Sequence, residues 1–388
     1  MRFLSVTAPF WLVGFRPFFT FACLAGATLP SLWLLLYTGH LHLSVQGFSA
    51  MQWHAHEMFF GFGWAVIGGF LLTATKNWVQ IRGYHGPALM FLAFAWLQER
   101  LGMWYQADLP RPLFLLSNNL FLLAIIAMLL YTLIGHRKTD SYRDNYFFLI
   151  ILPTFLVAKN LLLSGEHFQL GISMSLGLFR VAFLVMLERT LTQFMKSVFQ
   201  VNILRHPRLD LIIKLSALVL VFDGLLPESL ALPLTVLLAL LLLLRFAFWY
   251  PHLALRRLDI GIMYLGYLSI VAQLLLHCAA ALTDHTWVGT LSVHVFTFGV
   301  MGLIIPAMIV RIAQGHTGHK VTFDRLDKAA LWLMILAFVG RIILPQFAPD
   351  LYLGCLMLAA TCWLACFALL GARYIPYLLQ PRVDGKEH

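Results

Sequence analysis

Residues 51–70, MQWHAHEMFFGFGWAVIGGF, form one long apolar segment with two histidines and a glutamate near its start. About 20 apolar residues are enough for a helix to cross the hydrocarbon core of a bilayer. The rest of the chain has the same character, since 61% of its 388 residues are hydrophobic and 11% are charged. Soluble domains are about 45–50% apolar and about a quarter charged. With a mean hydropathy of +0.82, the chain is therefore predicted to be a polytopic membrane protein.

Breakers and charged residues divide the chain into candidate spans. The predicted fold class is all-α, a polytopic integral membrane helical bundle of about 12 transmembrane helices. No loop is long enough to be a soluble domain, so residues 1–388 are expected to form a single transmembrane domain with a cytoplasmic tail at 374–388. The predicted spans are 11–37, 55–75, 87–105, 113–134, 146–164, 172–194, 209–226, 230–250, 260–282, 290–312, 328–345 and 351–373.

Lysine and arginine are concentrated in alternate loops, as is typical of loops on the cytoplasmic side of a membrane. The intervening loops hold few basic residues, with Arg111 as the main exception. This alternation predicts that both termini are cytoplasmic, and it accounts for the net charge of +10 without a nucleic-acid partner. The basic loop residues are Lys76, Arg82, Arg137, Lys138, Arg143, Lys196, Arg205, Arg208, Arg256, Arg257, Lys320 and Arg325.

The five cysteines all lie in apolar segments, and none belongs to a Cys-x-x-Cys pair. Neither a disulfide framework nor a thiolate metal site is therefore predicted. Cys362 and Cys366 share a helix face, where small buried cysteines pack as hydrophobic side chains.

Four histidines are predicted to lie within spans at a similar depth near the outer surface: His54, His56, His277 and His294. Ionisable groups inside a membrane are costly and usually functional. Several imidazoles at one depth on at least three helices are typical of a metal site in a bundle core, and imidazole binds iron, copper and zinc. A set of histidines that hydrogen-bond between helices is the alternative interpretation.

The spacing within span two separates its two histidines. His54 and His56 lie roughly 200° apart around a regular helix, so both cannot ligate one ion. Gly61 and Gly68 continue the His54 side, which is either a groove for a flat macrocycle or a small-residue seam for close helix packing. Glu57 is expected to be a partner of a ligating histidine or a proton carrier.

Arginines and a histidine-containing turn mark the cytoplasmic ends of the first and tenth spans. Arg16 either extends to the interface or is a fixed cation that holds an acidic group, such as a haem propionate. Arg311 lies at the boundary before the turn GHTGH at 315–319. His316 and His319 are either metal ligands or ordinary loop histidines.

Other charged residues fall inside the predicted spans, among them Glu99, Arg100, Lys159 and Arg180. Lys159 and Arg180 lie on consecutive helices and are expected to face a polar interior.

Five motifs together resemble the NnrS family of bacterial twelve-span membrane proteins, which bind haem and copper and are associated with nitric oxide metabolism and nitrosative-stress tolerance. The resemblance extends from residue 10 to about 320, with the motifs in the same order. WHAHEM together with the GHTG turn is its most specific part. The motifs are GFRPFF (14–19), WHAHEM (53–58), GFLLTA (69–74) with Asn77 and Trp78, HVFTFGVMG (294–302) and GHTG (315–318).

The resemblance implies a protein of the bacterial inner membrane that takes haem, expected to be of the b type, and copper, with nitric oxide as its small-molecule ligand. Haem iron is expected between spans two and ten, through His54 or His56 and His294. His277 is a candidate for the same pocket or for copper. The remaining expected residues are Glu57 for proton transfer, Arg16 and Arg311 for cofactor binding, and His316 as a metal ligand.

Two stretches depart from the family pattern. ERTLTQF (188–194) is looser than the Arg-x-x-Pro-Phe-Phe pattern associated with the sixth helix, which leaves a role for Arg189 open. Tyr264 stands where many members are expected to have a histidine, so one metal site is altered or missing here.

Three functions are compatible with these features. The first is a haem protein that binds or processes nitric oxide, as an oxidoreductase supplied by an electron donor that the sequence does not identify or as a protective or sensory protein. The second is a quinol or electron-transfer haem protein. The third is a secondary transporter, which inverted repeats or paired broken helices would favour, and neither is evident.

Overall fold

The computed structural model describes residues 5–43 and 47–387 of the chain, and helices occupy all twelve predicted ranges. No strand occurs in those residues, so the all-helical fold is confirmed. The predicted tail, residues 374–388, begins within the last helix, and its final residue is outside the described part. The helices are α1 (Phe15–Tyr37), α2 (Ala50–Trp78), α3 (Pro87–Trp104), α4 (Arg111–Gly135), α5 (Tyr146–Leu163), α6 (Phe168–Phe199), α7 (Pro207–Val219), α8 (Glu228–Phe248), α9 (Leu258–Leu282), α10 (Leu291–His316), α11 (Arg325–Phe347) and α12 (Pro349–Leu379).

Ten helices in the described ranges are long and apolar enough to cross a membrane, which makes this a multi-pass membrane protein. The other two are α3 and α7. Helix α3 has 18 residues and carries a buried glutamate, and α7 has only 13 residues before the chain continues as a 3₁₀ turn, Leu220–Leu225. Twelve spans and cytoplasmic termini stay predictions.

The helices fall into two compact units. Unit 1 comprises residues 1–171, 309–322 and 367–388, and it contains α1 to α5 with the last parts of α10 and α12. Unit 2 comprises residues 172–308 and 323–366, with the helices from α6 onward. The expectation of a single transmembrane domain stays a prediction.

Close helix packing in unit 1 depends on glycines that face aromatic rings. A Cβ atom on Gly69 of α2 would lie 2.8 Å from the Cβ atom of Phe18, and one on Gly26 would lie 2.6 Å from the ring of Phe367. Phe21 stacks on Trp96 with a centroid distance of 4.9 Å. In a membrane, where lipid is as apolar as the core, such close backbone approach and ring contact hold helices together.

Three of the long helices change to π-helical geometry within the described residues, at Glu57–Gly63, Thr297–Gly302 and Val339–Ile343. Single π-helical turns are rare and frequently lie at functional sites. Two of the three follow the motif histidines His56 and His294 closely in sequence. Each inserts an extra residue and so rotates the side chains that follow relative to a regular helix.

Unit 2 contains a buried network of charged residues. The Glu188 carboxylate lies 3.2 Å from Lys214 and 3.5 Å from Arg245, and Arg245 lies 3.5 Å from Asp210. The Arg245 Nε atom donates to the hydroxyl of Tyr267 at 3.1 Å. Mutual pairing of this kind makes buried charges tolerable in a low-dielectric interior.

Candidate functional site

The WHAHEM motif is positioned by the start of α2. Ser49 and Gln52 form a capping box in which each side chain bonds the backbone of the other residue. The Gln52 side chain also donates to the main-chain carbonyl of Leu162, at 3.2 Å. Because a capping box satisfies backbone donors that a helix start would leave exposed, the helix begins at a defined residue. His54 and His56 therefore enter the membrane segment in a fixed register.

His56 is at the centre of a buried cluster of charged residues in unit 1. Its Nδ1 atom lies 3.1 Å from Glu57 Oε1, and its Nε2 atom lies 3.3 Å from Glu99 Oε1. Arg100 contacts both carboxylates, with Nε 2.7 Å from Glu57 and Nη2 2.9 Å from Glu99. Lys159 donates to Glu99 as well. We call these five residues the His56 cluster.

The charges of the His56 cluster balance. Two carboxylates face one guanidinium and one ammonium, and the imidazole lies between the carboxylates. His56, Glu99 and Lys159 are 0% exposed, so each group depends on the others for its partners. Both ring nitrogens of His56 are occupied by carboxylates, an arrangement that does not fit a histidine ligating iron.

His54 has a different environment on the same helix. Its ring stacks on Trp33 of α1 with centroids 4.4 Å apart and an interplanar angle of 15°. The side chain is partly buried, and it is not part of the His56 cluster. The predicted separation of the two histidines around α2 agrees with these contacts.

The glycines that follow His54 pack tightly against neighbouring helices. A Cβ atom on Gly61 would lie 3.0 Å from Glu57 Oε2 and 3.3 Å from Leu29, and one on Gly68 would lie 2.8 Å from Ile125. Side chains therefore occupy the space that a flat macrocycle would need. Of the two predicted interpretations, the structure supports the small-residue seam.

His294 lies in unit 2, one turn before a π-helical segment. Its Nδ1 atom lies 2.9 Å from the Thr290 carbonyl oxygen, which can only accept a hydrogen bond. The Thr290 hydroxyl at 2.8 Å and the Arg341 Nη2 atom at 3.2 Å contact the same ring nitrogen. The Arg341 Nη2 atom also lies 3.4 Å from His294 Nε2. A metal-ligating histidine typically has its other ring nitrogen fixed by a carbonyl or carboxylate in this way.

His277 pairs with an acidic residue of the same unit. Its Nε2 atom lies 3.3 Å from the carboxylate of Asp223. Nearby, Arg180 donates to the side chain of Gln273 at 3.1 Å. The expectation that Arg180 meets polar groups is confirmed. Tyr264, at the position of the expected histidine, donates its hydroxyl proton to a main-chain carbonyl at 2.7 Å, so its role here is structural.

The predicted cofactor residues of unit 1 lie at two distant ends. The Phe15 amide, beside Arg16, donates to the Thr73 hydroxyl at 2.9 Å. Thr73 follows His54 by 19 residues in one span, which is about 28 Å at 1.5 Å per residue. The His316 ring lies 5.3 Å from that of Phe15. We call the part of unit 1 around His54 the His54 end, and the part around Arg16, Thr73 and His316 the Arg16 end. Arg311 precedes His316 by five residues on α10.

The described side chains fit haem better than they fit a copper centre with three protein ligands. Haem iron takes one or two axial protein ligands, and the contact between His294 Nδ1 and the Thr290 carbonyl suits that role. Over residues 5–43 and 47–387, no group of three or more histidine, cysteine or carboxylate side chains is arranged to hold a metal ion. A copper centre built from three such donors therefore does not fit the described residues. The five cysteines are buried, as predicted for Cys362 and Cys366.

Sequence reasoning did not connect the histidines with their charged partners. Glu99 and Lys159 were recognisable as costly charges inside spans, but their pairing with each other was not predicted. The sequence signal for this pairing was the presence of opposite charges inside different spans, because a lone charge inside a span is strongly destabilising. Asp223 carries the same signal for His277.

Comparison with known proteins supports the resemblance. A family model described as NnrS protein matches residues 9–382, which is nearly the whole chain. No curated protein matches the chain significantly.

Proposed function

The chain belongs to the NnrS family, and we propose that it is a bacterial cytoplasmic-membrane protein that binds haem and that binds or processes nitric oxide. Family membership gives the class of protein. Two parts of this proposal go beyond family membership. They are the residues that ligate each metal, and whether the protein converts nitric oxide or only binds it.

The hydrogen bond between His294 Nδ1 and the Thr290 carbonyl carries the proposal. It fixes the direction of the ring, with Nε2 as the nitrogen that would meet a metal. The adjoining π-helical segment is of the type that often accompanies functional sites. His294 is therefore the first candidate for an axial ligand. His54 is the candidate in span two, and sharing one haem between these spans stays a prediction.

The partners of His56 assign it a different role from that of His54. With its nitrogens placed between Glu57 and Glu99, His56 can hold a proton between two carboxylates without exposure to water. Arg100 places a positive charge 2.7 Å from Glu57 and 2.9 Å from Glu99. Glu57 as a group that passes protons to nitric oxide remains part of the proposal. We assign to these residues the holding and orientation of a proton.

When bound, haem would supply a redox-active iron for a diatomic ligand. Nitric oxide is apolar and partitions into lipid, so a site among the membrane helices would be accessible to it. Copper, the second metal that family membership implies, stays a prediction without assigned ligands.

Haem content of purified variants tests the assignment of His294. His294→Ala is expected to abolish or strongly reduce the Soret absorbance per protein after expression with added haem. His285→Ala is the matched control, because His285 is an exposed histidine of the preceding loop. Equal haem content in both variants would contradict the assignment. His54→Ala in the same series tests span two.

A further inference from the structure

Arg16 is a buried cation without an acidic partner. It is 0% exposed, so it does not extend to water. Its Nη1 atom donates to the main-chain carbonyls of Leu378, at 2.9 Å, and Gln380, at 2.6 Å. Its Nε and Nη2 atoms are buried and have no hydrogen-bond partner among the described residues. Of its five N–H groups, those on these two atoms are unsatisfied.

The groups around Arg16 are mainly cationic. Arg382 interacts electrostatically with Arg16, Lys76 and His316, and Lys76 interacts with His316. Glu387 also interacts with Lys76, but its carboxylate is paired with Arg82 at 2.5 Å. Arg382 is already occupied, since it donates to both oxygens of Asp384 and to the His316 carbonyl at 2.9 Å. The Arg16 end of unit 1 therefore has unpaired positive charge.

Packing alone does not explain this arrangement. Two carbonyl oxygens compensate one nitrogen of Arg16, whereas a desolvated guanidinium usually needs a counter-charge to be tolerated. An oxyanion would meet both requirements, because its oxygens accept from two adjacent nitrogens of the guanidinium fork and its charge offsets that of the cations. A propionate of a haem held at the His54 end could not be this oxyanion, because about 28 Å of helix separates the two ends.

We propose that the Arg16 end of unit 1 binds a phosphate-class oxyanion, with Arg16 as the buried anchor and Lys76 as a second cation. The anion comes from the headgroup of an anionic phospholipid or from soluble phosphate. Positive loops place this end on the predicted cytoplasmic side, where both sources are found. The site is separate from the proposed haem chemistry, and it is tested without haem.

Thermal unfolding of the full chain, followed by tryptophan fluorescence, provides the test. The protein is placed in nanodiscs of phosphatidylcholine alone or with added phosphatidylglycerol, and inorganic phosphate is titrated at constant ionic strength. Phosphatidylglycerol or phosphate is expected to raise the unfolding midpoint. Arg16→Gln is expected to weaken the apparent affinity roughly ten- to hundredfold, as for a lost charge-assisted hydrogen bond. Lys76→Gln is expected to weaken it severalfold.

Controls make the outcome decisive. Arg208→Gln removes an exposed cation outside unit 1 and is expected to leave the response unchanged. His294→Ala is expected to lose haem and keep the anion response, which separates this proposal from the haem assignment. Stabilisation by phosphatidylglycerol alone identifies a lipid headgroup, and stabilisation by phosphate as well identifies a soluble anion. No stabilisation by either, or an equal response in Arg16→Gln, overturns the proposal. If Arg16→Gln does not fold, Lys76→Gln decides.

Discussion

Replacing Lys159 with methionine should destabilise unit 1 strongly. Lys159 and Glu99 are both 0% exposed, and the ammonium donates to Glu99 and to the Asn118 carbonyl. Removing one partner of a buried ion pair typically costs about 3–5 kcal/mol. Arg100 remains 2.9 Å from Glu99 and keeps part of the compensation, so we expect a loss near the lower limit, about 3 kcal/mol.

A double-mutant cycle measures this coupling. The free energy of unfolding in mixed micelles is compared for Lys159→Met, Glu99→Gln and the double variant. Because the double variant removes both charges, it should recover about 1–2 kcal/mol relative to the sum of the single losses. Lys138→Met, at an exposed lysine of unit 1, is the control and should change stability by less than about 0.5 kcal/mol. A loss below about 1 kcal/mol for Lys159→Met, as for an exposed pair, would refute the reasoning.

Three further predictions concern packing, hydrogen bonding and pH. Gly171→Ala should lower the thermal unfolding midpoint, because its Cβ atom would lie 2.2 Å from the backbone of α5, whereas Gly165→Ala, with nothing within 4 Å, should not. Tyr267→Phe should lower the free energy of unfolding by about 1–3 kcal/mol, measured as above, because it removes a hydrogen bond to a carbonyl of α8 and leaves the buried Arg245 Nε without its acceptor. The Arg382 guanidinium lowers the pKa of Asp384 from 3.8 to about 2. The stabilisation from this pair should therefore be present above pH 4 and be lost as the pH falls through about 2; a carboxyl NMR titration, assigned with Asp384→Asn, checks it, and a midpoint near 4 would contradict it.

Hydropathy and breakers predicted the helix positions well, because a membrane requires long apolar segments whose backbone groups are satisfied internally. All twelve predicted ranges are helical in the described residues. Whether α3 and α7 cross the membrane could not be predicted from hydropathy as well as the helix positions. Helix α7 ends after 13 residues and continues as a 3₁₀ turn, a local change of hydrogen bonding that hydropathy does not report.

The candidate site was predictable only in part. The motif drew attention to His54, His56 and Glu57, and their position on α2 followed from the pattern. Apart from Glu57, the other members of the His56 cluster come from α3 and α5, so their selection depends on how helices pack and not on local sequence. Regular helical spacing also cannot anticipate the π-helical segment that starts at Glu57. The separation of Arg16 from His54 required the antiparallel arrangement of α1 and α2.

Absorbance spectra of the purified chain test the central claim most directly. Oxidised and dithionite-reduced protein, expressed with added haem, is measured before and after addition of nitric oxide, with metal analysis of the same sample. We predict a Soret band that shifts on reduction and shifts again with nitric oxide, and that is lost in His294→Ala. A haem that does not respond to nitric oxide would favour electron transfer. A chain without haem would contradict the account and leave its histidines as structural or transport groups.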